Sequence, residues 1–141
     1  MPMFTRIDHV GIACHDLDER VSFYESTFGL TVAHTEVNEA QGVREAMFDV
    51  GGSFVQLLEP TRPDSSVARF LARNGEGVHH VGYGVTDVRA ALADLTDKGI
   101  ALVDERPRHG SMGAAIAFLH PKSVGGVLTE LVQSSVRDAQ S

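Results

Sequence analysis

Tryptophan is missing from this chain, and cysteine nearly so: Cys14 is the one thiol in 141 residues. A single cysteine excludes an intramolecular disulfide and a thiolate metal cluster. Positive charge is also scarce. Twelve Lys and Arg stand against nineteen Asp and Glu, a formal charge of −7. That argues against a general nucleic-acid partner, which needs a basic face. It does not bear on small anionic substrates, which respond to local fields. No long apolar run follows Met1-Pro2-Met3-Phe4-Thr5-Arg6. Neither a signal peptide nor a membrane span is therefore expected, and the cytoplasm is the expected compartment. The polar, unpatterned stretch from Ser134 to Ser141 reads as a frayed end.

What is present suits a single domain with a buried core, for 43% of the residues are apolar. The chain also repeats itself. Ile7-Asp8-His9-Val10-Gly11-Ile12-Ala13-Cys14-His15-Asp16-Leu17 matches Val78-His79-His80-Val81-Gly82-Tyr83-Gly84-Val85-Thr86-Asp87-Val88. His9 falls on His80, Gly11 on Gly82 and Asp16 on Asp87. Each segment is a β-branched run that reads as a strand, and each is followed by an amphipathic helix. Leu17, Val21, Tyr24 and Phe28 form the first apolar stripe, capped by Asp16 and stopped by Gly29. Val88, Ala91, Leu92 and Leu95 form the second, stopped by Gly99. Three strands follow each helix, expected near Thr31–Val37, Glu45–Val50 and Phe54–Glu59, and near Ala101–Asp104, Ala114–His120 and Val127–Val132. Between the copies, Ser65 to Gly75 reads as a short connecting helix with a serine cap.

Alternation along a strand decides which side chains share a face. Ile7, His9, Gly11 and Ala13 point one way, as do Val78, His80, Gly82 and Gly84. Glycines beside each histidine leave open space, which is wasteful in a core and useful in a pocket. The last strand of each copy carries one polar residue in an apolar run: Gln56 in Phe54-Val55-Gln56-Leu57-Leu58, and Glu130 in Val127-Leu128-Thr129-Glu130-Leu131-Val132. A lone strand histidine is more often a hydrogen-bonded core residue, and a lone strand-end acid usually faces solvent. Recurrence at equivalent places changes that balance, because a pseudo-twofold pairing of the copies would gather all four. Two imidazoles, an amide and a carboxylate suit a borderline or hard divalent ion with positions left open.

At these residues the chain resembles the vicinal oxygen chelate (glyoxalase/bleomycin resistance/dioxygenase) superfamily, and within it the methylmalonyl-CoA epimerases. The resemblance runs from Ile7 to Gln133. Besides the two histidine segments, it rests on Gln41-Gly42-Val43-Arg44-Glu45, on His120-Pro121-Lys122-Ser123 and on Gly126-Val127-Leu128-Thr129-Glu130-Leu131. It implies an α+β fold: two tandem βαβββ modules, about 4–60 and 78–133 with the connecting helix at about 65–75, forming a curved, cavity-enclosing mixed sheet in one domain. It implies His9, Gln56, His80 and Glu130 as metal ligands, and Glu45 and Glu130 as the catalytic acid–base pair. It further implies one divalent ion per chain, cobalt(II) ahead of manganese, nickel, zinc or magnesium. The implied activity is epimerisation of (2R)- and (2S)-methylmalonyl-CoA through a metal-stabilised enolate. The implied partners are a small acyl-CoA substrate and a second copy in a homodimer, with no nucleic acid and no membrane.

Sheet geometry offers a check on Glu45. Gly51-Gly52 suits a two-residue hairpin, which would set Val50 against Ser53, Asp49 against Phe54 and Met47 against Gln56. Glu45 would then share the face of Gln56 as a diagonal neighbour, about 7–8 Å away, leaving room for a substrate carbon between Glu45 and the metal. Two alternatives remain at this point: a glyoxalase I-type lyase acting on a hemithioacetal, and a metal-free drug-binding protein of the same scaffold. An extradiol dioxygenase would need a three-residue iron triad, against which Gln56 as a fourth ligand argues. Lys122 and Arg108 are basic candidates for contact with the CoA nucleotide.

Overall fold

The computed structural model describes residues 2–135, so most of the expected frayed tail lies outside the described residues. Two compact units emerge. One is His9–His79, and the other joins the residues up to Asp8 with those from His80 onward.

The first unit contains β1 (Arg6–Ala13, from His9), α1 (Leu17–Phe28), β2 (Val32–Asn38), β3 (Val43–Val50), β4 (Ser53–Pro60) and α2 (Ser66–Asn74). Its strands are ordered β2-β3-β4-β1, with β4 parallel to β1 and the hairpins antiparallel. Helix α1 begins where expected: the Asp16 carboxylate accepts the Glu19 N–H at 3.1 Å, satisfying a donor that the first turn leaves open. It ends at Gly29, whose φ of 70° only glycine adopts cheaply. Leu17, Val21 and Tyr24 press on Cys14, Ala46, Phe48 and Leu57 on one face of the sheet. The Tyr24 and Phe48 rings stack at 5.6 Å. On the other face, α2 buries Val67 and Leu71 against Ala13, Val43 and Leu58. Its Ser65 cap accepts the Ala68 N–H at 3.1 Å. One face is thus covered along α1, while α2 covers only one end of the other.

The second unit holds β5 (Gly77–Gly84, from His80), α3 (Val88–Asp97), β6 (Arg108–His109), β7 (Ala115–Leu119) and β8 (Thr129–Gln133). The order is β5-β8-β7-β6, again with the last strand parallel to the first. Asp87 caps α3 by accepting the Arg89 and Ala90 N–H groups. Val88, Ala91 and Leu92 pack on Val85, Ala117, Leu119 and Leu131. The opposite face buries Ala114, Ile116, Phe118 and Val132. Ahead of β1, Phe4 stacks on Tyr83 at 4.2 Å.

The strand expected at Ala101–Asp104 does not form. An isolated bridge, Leu102 to Leu119, survives with backbone bonds from the Val103 N–H to the Phe118 carbonyl and from the His120 N–H to the Ala101 carbonyl, and the short β6 follows further on. The Asp104 carboxylate explains this: it accepts the Phe118 N–H at 2.9 Å, taking the bond a strand carbonyl would accept. Pro107 then offers no N–H for a ladder. The last strand begins at Thr129 instead of Val127, because Gly125 and Gly126 at φ 79° and 92° turn the chain first. Among the described residues no helix is long and apolar enough to cross a membrane.

Two groups away from the candidate site titrate abnormally. Burial, and then the nearby Glu76 and Glu59, push the Cys14 thiol up to about 11. Burial pulls His79 down to about 4; its Nε2 lies 3.1 Å from Ser66 Oγ, and its ring meets Phe70 edge-on. Two outcomes are expected. Asp16→Ala should destabilise the protein by about 0.5–2 kcal/mol through loss of the cap, read from the denaturant midpoint at unchanged slope. His79 binds its proton more weakly folded than unfolded. Stability should therefore be full above its ordinary value of 6.5 and fall as pH drops toward about 4. Unfolding curves across that window should slope less steeply for His79→Gln, and an unchanged slope would show that His79 is not the group responsible.

Candidate metal and acid–base site

In the first unit the parallel pairing of β1 with β4 sets Gly11 against Gln56 and His9 against Phe54. His9 and Gln56 are therefore diagonal neighbours on one face, and both are about 5% exposed. The antiparallel β3–β4 hairpin sets Val50 against Ser53, Asp49 against Phe54 and Met47 against Gln56, as expected. Gly51 and Gly52, at φ 64° and 93°, make its turn, and Asp49 Oδ1 accepts the Gly52 N–H at 2.9 Å. Glu45 lands on the Gln56 face with only 1% of its surface exposed.

The side chains of the diagonal neighbours Glu45 and Gln56 meet. Gln56 Nε2 donates to Glu45 Oε2. Two long side chains span a diagonal that their Cα positions leave wide. The contact also orients the amide: with Nε2 turned to Glu45, the carbonyl oxygen, the atom a metal takes, points elsewhere.

The second unit repeats the register. β5 pairs with β8 so that Gly82 lies against Glu130, as Gly11 lies against Gln56. β7 sets Phe118 against Glu130, as β3 sets Met47 against Gln56. His80 and Glu130 are 4% and 5% exposed. Nε2 of the histidine stands 3.6 Å from Oε1 of the glutamate, which is long for a hydrogen bond. It is close to the roughly 3.4 Å that separates two donors each about 2.1 Å from one tetrahedral ion. The chemistry of each pair, imidazole with amide oxygen in one unit and imidazole with carboxylate in the other, is of the kind that a divalent metal takes, and all four residues are buried on strands. A buried carboxylate demands such a partner.

Phe118 was not anticipated. Its ring lies edge-on to His80, centroids 5.5 Å apart, and the Arg108 guanidinium sits 5.5 Å from the same ring while Nε contacts Asp104 Oδ2 at 3.3 Å. Its register against Glu130 was the available signal. Lys122 is exposed in the turn Pro121–Ser123, whose Ser123 Oγ accepts the Ala101 N–H at 3.0 Å. The His-Pro-Lys-Ser stretch therefore fixes the loop that returns the chain to β8.

A family model described as the glyoxalase/bleomycin resistance protein/dioxygenase superfamily matches residues 8–118. A solved methylmalonyl-CoA epimerase in complex with methylmalonyl-CoA and NH4+ is 59% identical, with 94% of this chain and 96% of that chain covered and a TM-score of 0.92. The mitochondrial methylmalonyl-CoA epimerase of Homo sapiens is 37% identical over 130 residues, which are 92% of this chain and 74% of that protein. The ethylmalonyl-CoA/methylmalonyl-CoA epimerase of Cereibacter sphaeroides is 34% identical over 133 residues, 93% of this chain and 99% of that protein. The matched span includes the segments that carry His9, Glu45, Gln56 and His80, and the chain belongs to the glyoxalase/bleomycin resistance protein/dioxygenase superfamily.

Proposed function

We propose that this chain is an isomerase that interconverts (2R)- and (2S)-methylmalonyl-CoA, with the two units as halves of one domain. The observation that carries the reading is the matched register: His9 with Gln56 and His80 with Glu130 at equivalent strand positions, and a buried carboxylate, Glu45, beside the first pair only. Relatives named for this reaction support it. His9, His80 and Glu130 each offer one ligand atom, and Gln56 offers its carbonyl oxygen. Together they would hold one divalent ion, cobalt(II) first, with manganese, nickel, zinc or magnesium as alternatives. When bound, the ion supplies a Lewis acid for the negative charge that develops on the thioester oxygen.

The chain's own residues do the rest. Glu45 removes the C2 proton at a carboxylate oxygen, and Gln56 Nε2 holds that carboxylate in place. Glu130 delivers a proton to the other face of C2, so it serves as ligand and as base. Two bases on opposite faces are what inversion requires. Gly11 and Gly82, with no side chains, keep the ligand face open for the acyl group. Arg108 and Lys122 are available to the anionic CoA. We further propose a homodimer, since β2 and β6 end their sheets with unpaired edges, and a cytoplasmic location.

The test is inversion and C2 exchange with methylmalonyl-CoA in deuterated water, using metal-loaded protein. Absence of both, with turnover of methylglyoxal and glutathione instead, would replace the epimerase by a glyoxalase. Glu45→Gln should keep its metal while inversion falls about 10²- to 10⁴-fold, the usual contribution of a positioned acid–base group. Inversion at the wild-type rate would remove Glu45 from the mechanism. His9→Ala and His80→Ala should each lose most bound metal by elemental analysis while remaining folded; full occupancy in both would end the ligand assignment.

A further inference from the structure

We propose that Glu36 and His34 form a port through which Glu45 exchanges the proton taken from C2 with solvent. The proposal rests on the epimerase reading and extends it to two residues that the reading does not use.

The placement begins with an irregularity. The β2–β3 ladder slips between Val32 and His34: Val32 lies against Phe48, but His34 lies against Met47. Even pairing from Val32 would set His34 against Ala46, on the face that packs on α1. One extra residue, Ala33, shifts the strand's parity, which is how a bulge re-aims a side chain. As a result His34 and Glu36 share the face of Met47 and Glu45, and Glu36 lies directly opposite Glu45. Directly opposed residues have Cβ atoms about 4.5–5.5 Å apart, within reach of two carboxyl groups, directly or through one water.

Two carboxylates facing each other across strands repel, so each needs a further partner: His34 lies against Glu36, and Gln56 donates to Glu45. The second unit does without such a pair. There the position equivalent to Glu45 is Ile116, which lies against Val132 two residues along from the Phe118–Glu130 pair, and the residue opposite Ile116 is Arg108. In the second unit that sheet position takes an isoleucine with an arginine opposite, and no pair of carboxylates faces across the strands there.

His34 Nε2 lies 2.6 Å from Glu36 Oε1. Two bare lone pairs would repel at that distance, so a proton lies between them. The side chains of His34 and Glu36 are 30% and 29% exposed, whereas Glu45 is 1% exposed. The three groups therefore lead from a buried base to water. In the relay the C2–H bond breaks and its proton binds Glu45. Glu45 passes a proton to Glu36 Oε2. The proton between Glu36 and His34 settles on Nε2, and His34 releases its Nδ1 proton to water. One proton enters and one leaves, no electrons are transferred, and the His34–Glu36 pair regains its starting charge.

The experiment compares Glu36→Gln and His34→Ala with the wild type, all metal-loaded and with equal metal content by elemental analysis. Three quantities are read for each epimer: single-turnover inversion, steady-state kcat and KM, and C2 deuterium gained per inversion. Expected in both variants is a near-normal first inversion with unchanged KM. kcat and deuterium gain from the Glu45 side should fall about tenfold or more, short of the ~10²-fold loss of a group acting on carbon itself. Imidazole buffer should restore kcat in His34→Ala. Unchanged kcat and washout in both variants would overturn the port. So would a first inversion slowed as much as kcat with no rescue, since that marks residues that merely hold Glu45. Wild-type protein that neither inverts nor exchanges the substrate would overturn the epimerase reading together with the port, and is distinguished by that result alone.

Discussion

Burying a charged or polar side chain on a sheet face costs free energy unless each group finds a partner. This constraint governs the arrangement of both units. Glu45, Gln56, His80 and Glu130 are each at most 5% exposed, and within each unit they are paired: Gln56 donates to Glu45, and His80 faces Glu130 at 3.6 Å. The two pairs differ in kind. The first is a hydrogen bond that closes on itself. The second is too long for one, and its 3.6 Å spacing is that of two donors to one proposed ion. The apolar faces opposite, packed under α1 and α3, supply the hydrophobic stabilisation that lets such polar faces exist.

Much of this was legible because it follows from strict periodicities. The period-two alternation of a strand places His9 beside Gly11, and a two-glycine turn forces Met47 against Gln56 with no freedom of register. Asp16, Ser65 and Gly29 announce helix ends through chemistry local to each residue, so they too were readable. What escaped depends on departures from period. The bulge at Ala33 reverses the parity of β2, and nothing in Val32-Ala33-His34 signals it, so the His34–Glu36 pair stayed hidden. The fate of Ala101–Asp104 turned on one carboxylate, that of Asp104, bonding the backbone of a strand not adjacent in sequence. A pattern of apolar residues cannot report that competition. The contact between the Glu45 and Gln56 side chains escaped for a simpler reason: register fixes Cα positions, while side-chain reach decides contact.

The two halves share a scaffold but not a chemistry. Equivalent positions carry His9 and His80, Gly11 and Gly82, Gln56 and Glu130. One step further out, on β3 and β7, equivalence fails: Glu45 in one half, Ile116 in the other. A further step out, on β2 and β6, Glu36 is matched by Arg108. The divergence therefore increases with distance from the ligand strands. The strands that carry the proposed ligands keep a histidine, a glycine and a side-chain oxygen donor at matching places. Flanking strands are free to specialise.

That specialisation follows from the demands of inversion at carbon. A proton must leave one face and arrive at the other, so two bases are needed, yet a symmetric pair of free carboxylates would add a second buried charge with its own desolvation cost. A carboxylate that is also a ligand avoids this, since the metal already compensates its charge. Glu130 is the residue proposed for that part, and the buried residues that share its sheet face, Ile116, Phe118 and Val132, are apolar. Glu45 has no metal to compensate it. The Gln56 amide holds it in position, the proposed mechanism would give it a route to water for turnover, and the half of the molecule that carries it is the half in which β2 is bulged to bring Glu36 and His34 onto its face. Asymmetry between the modules is in this sense the expected outcome of placing two-base chemistry on a duplicated fold with one ion.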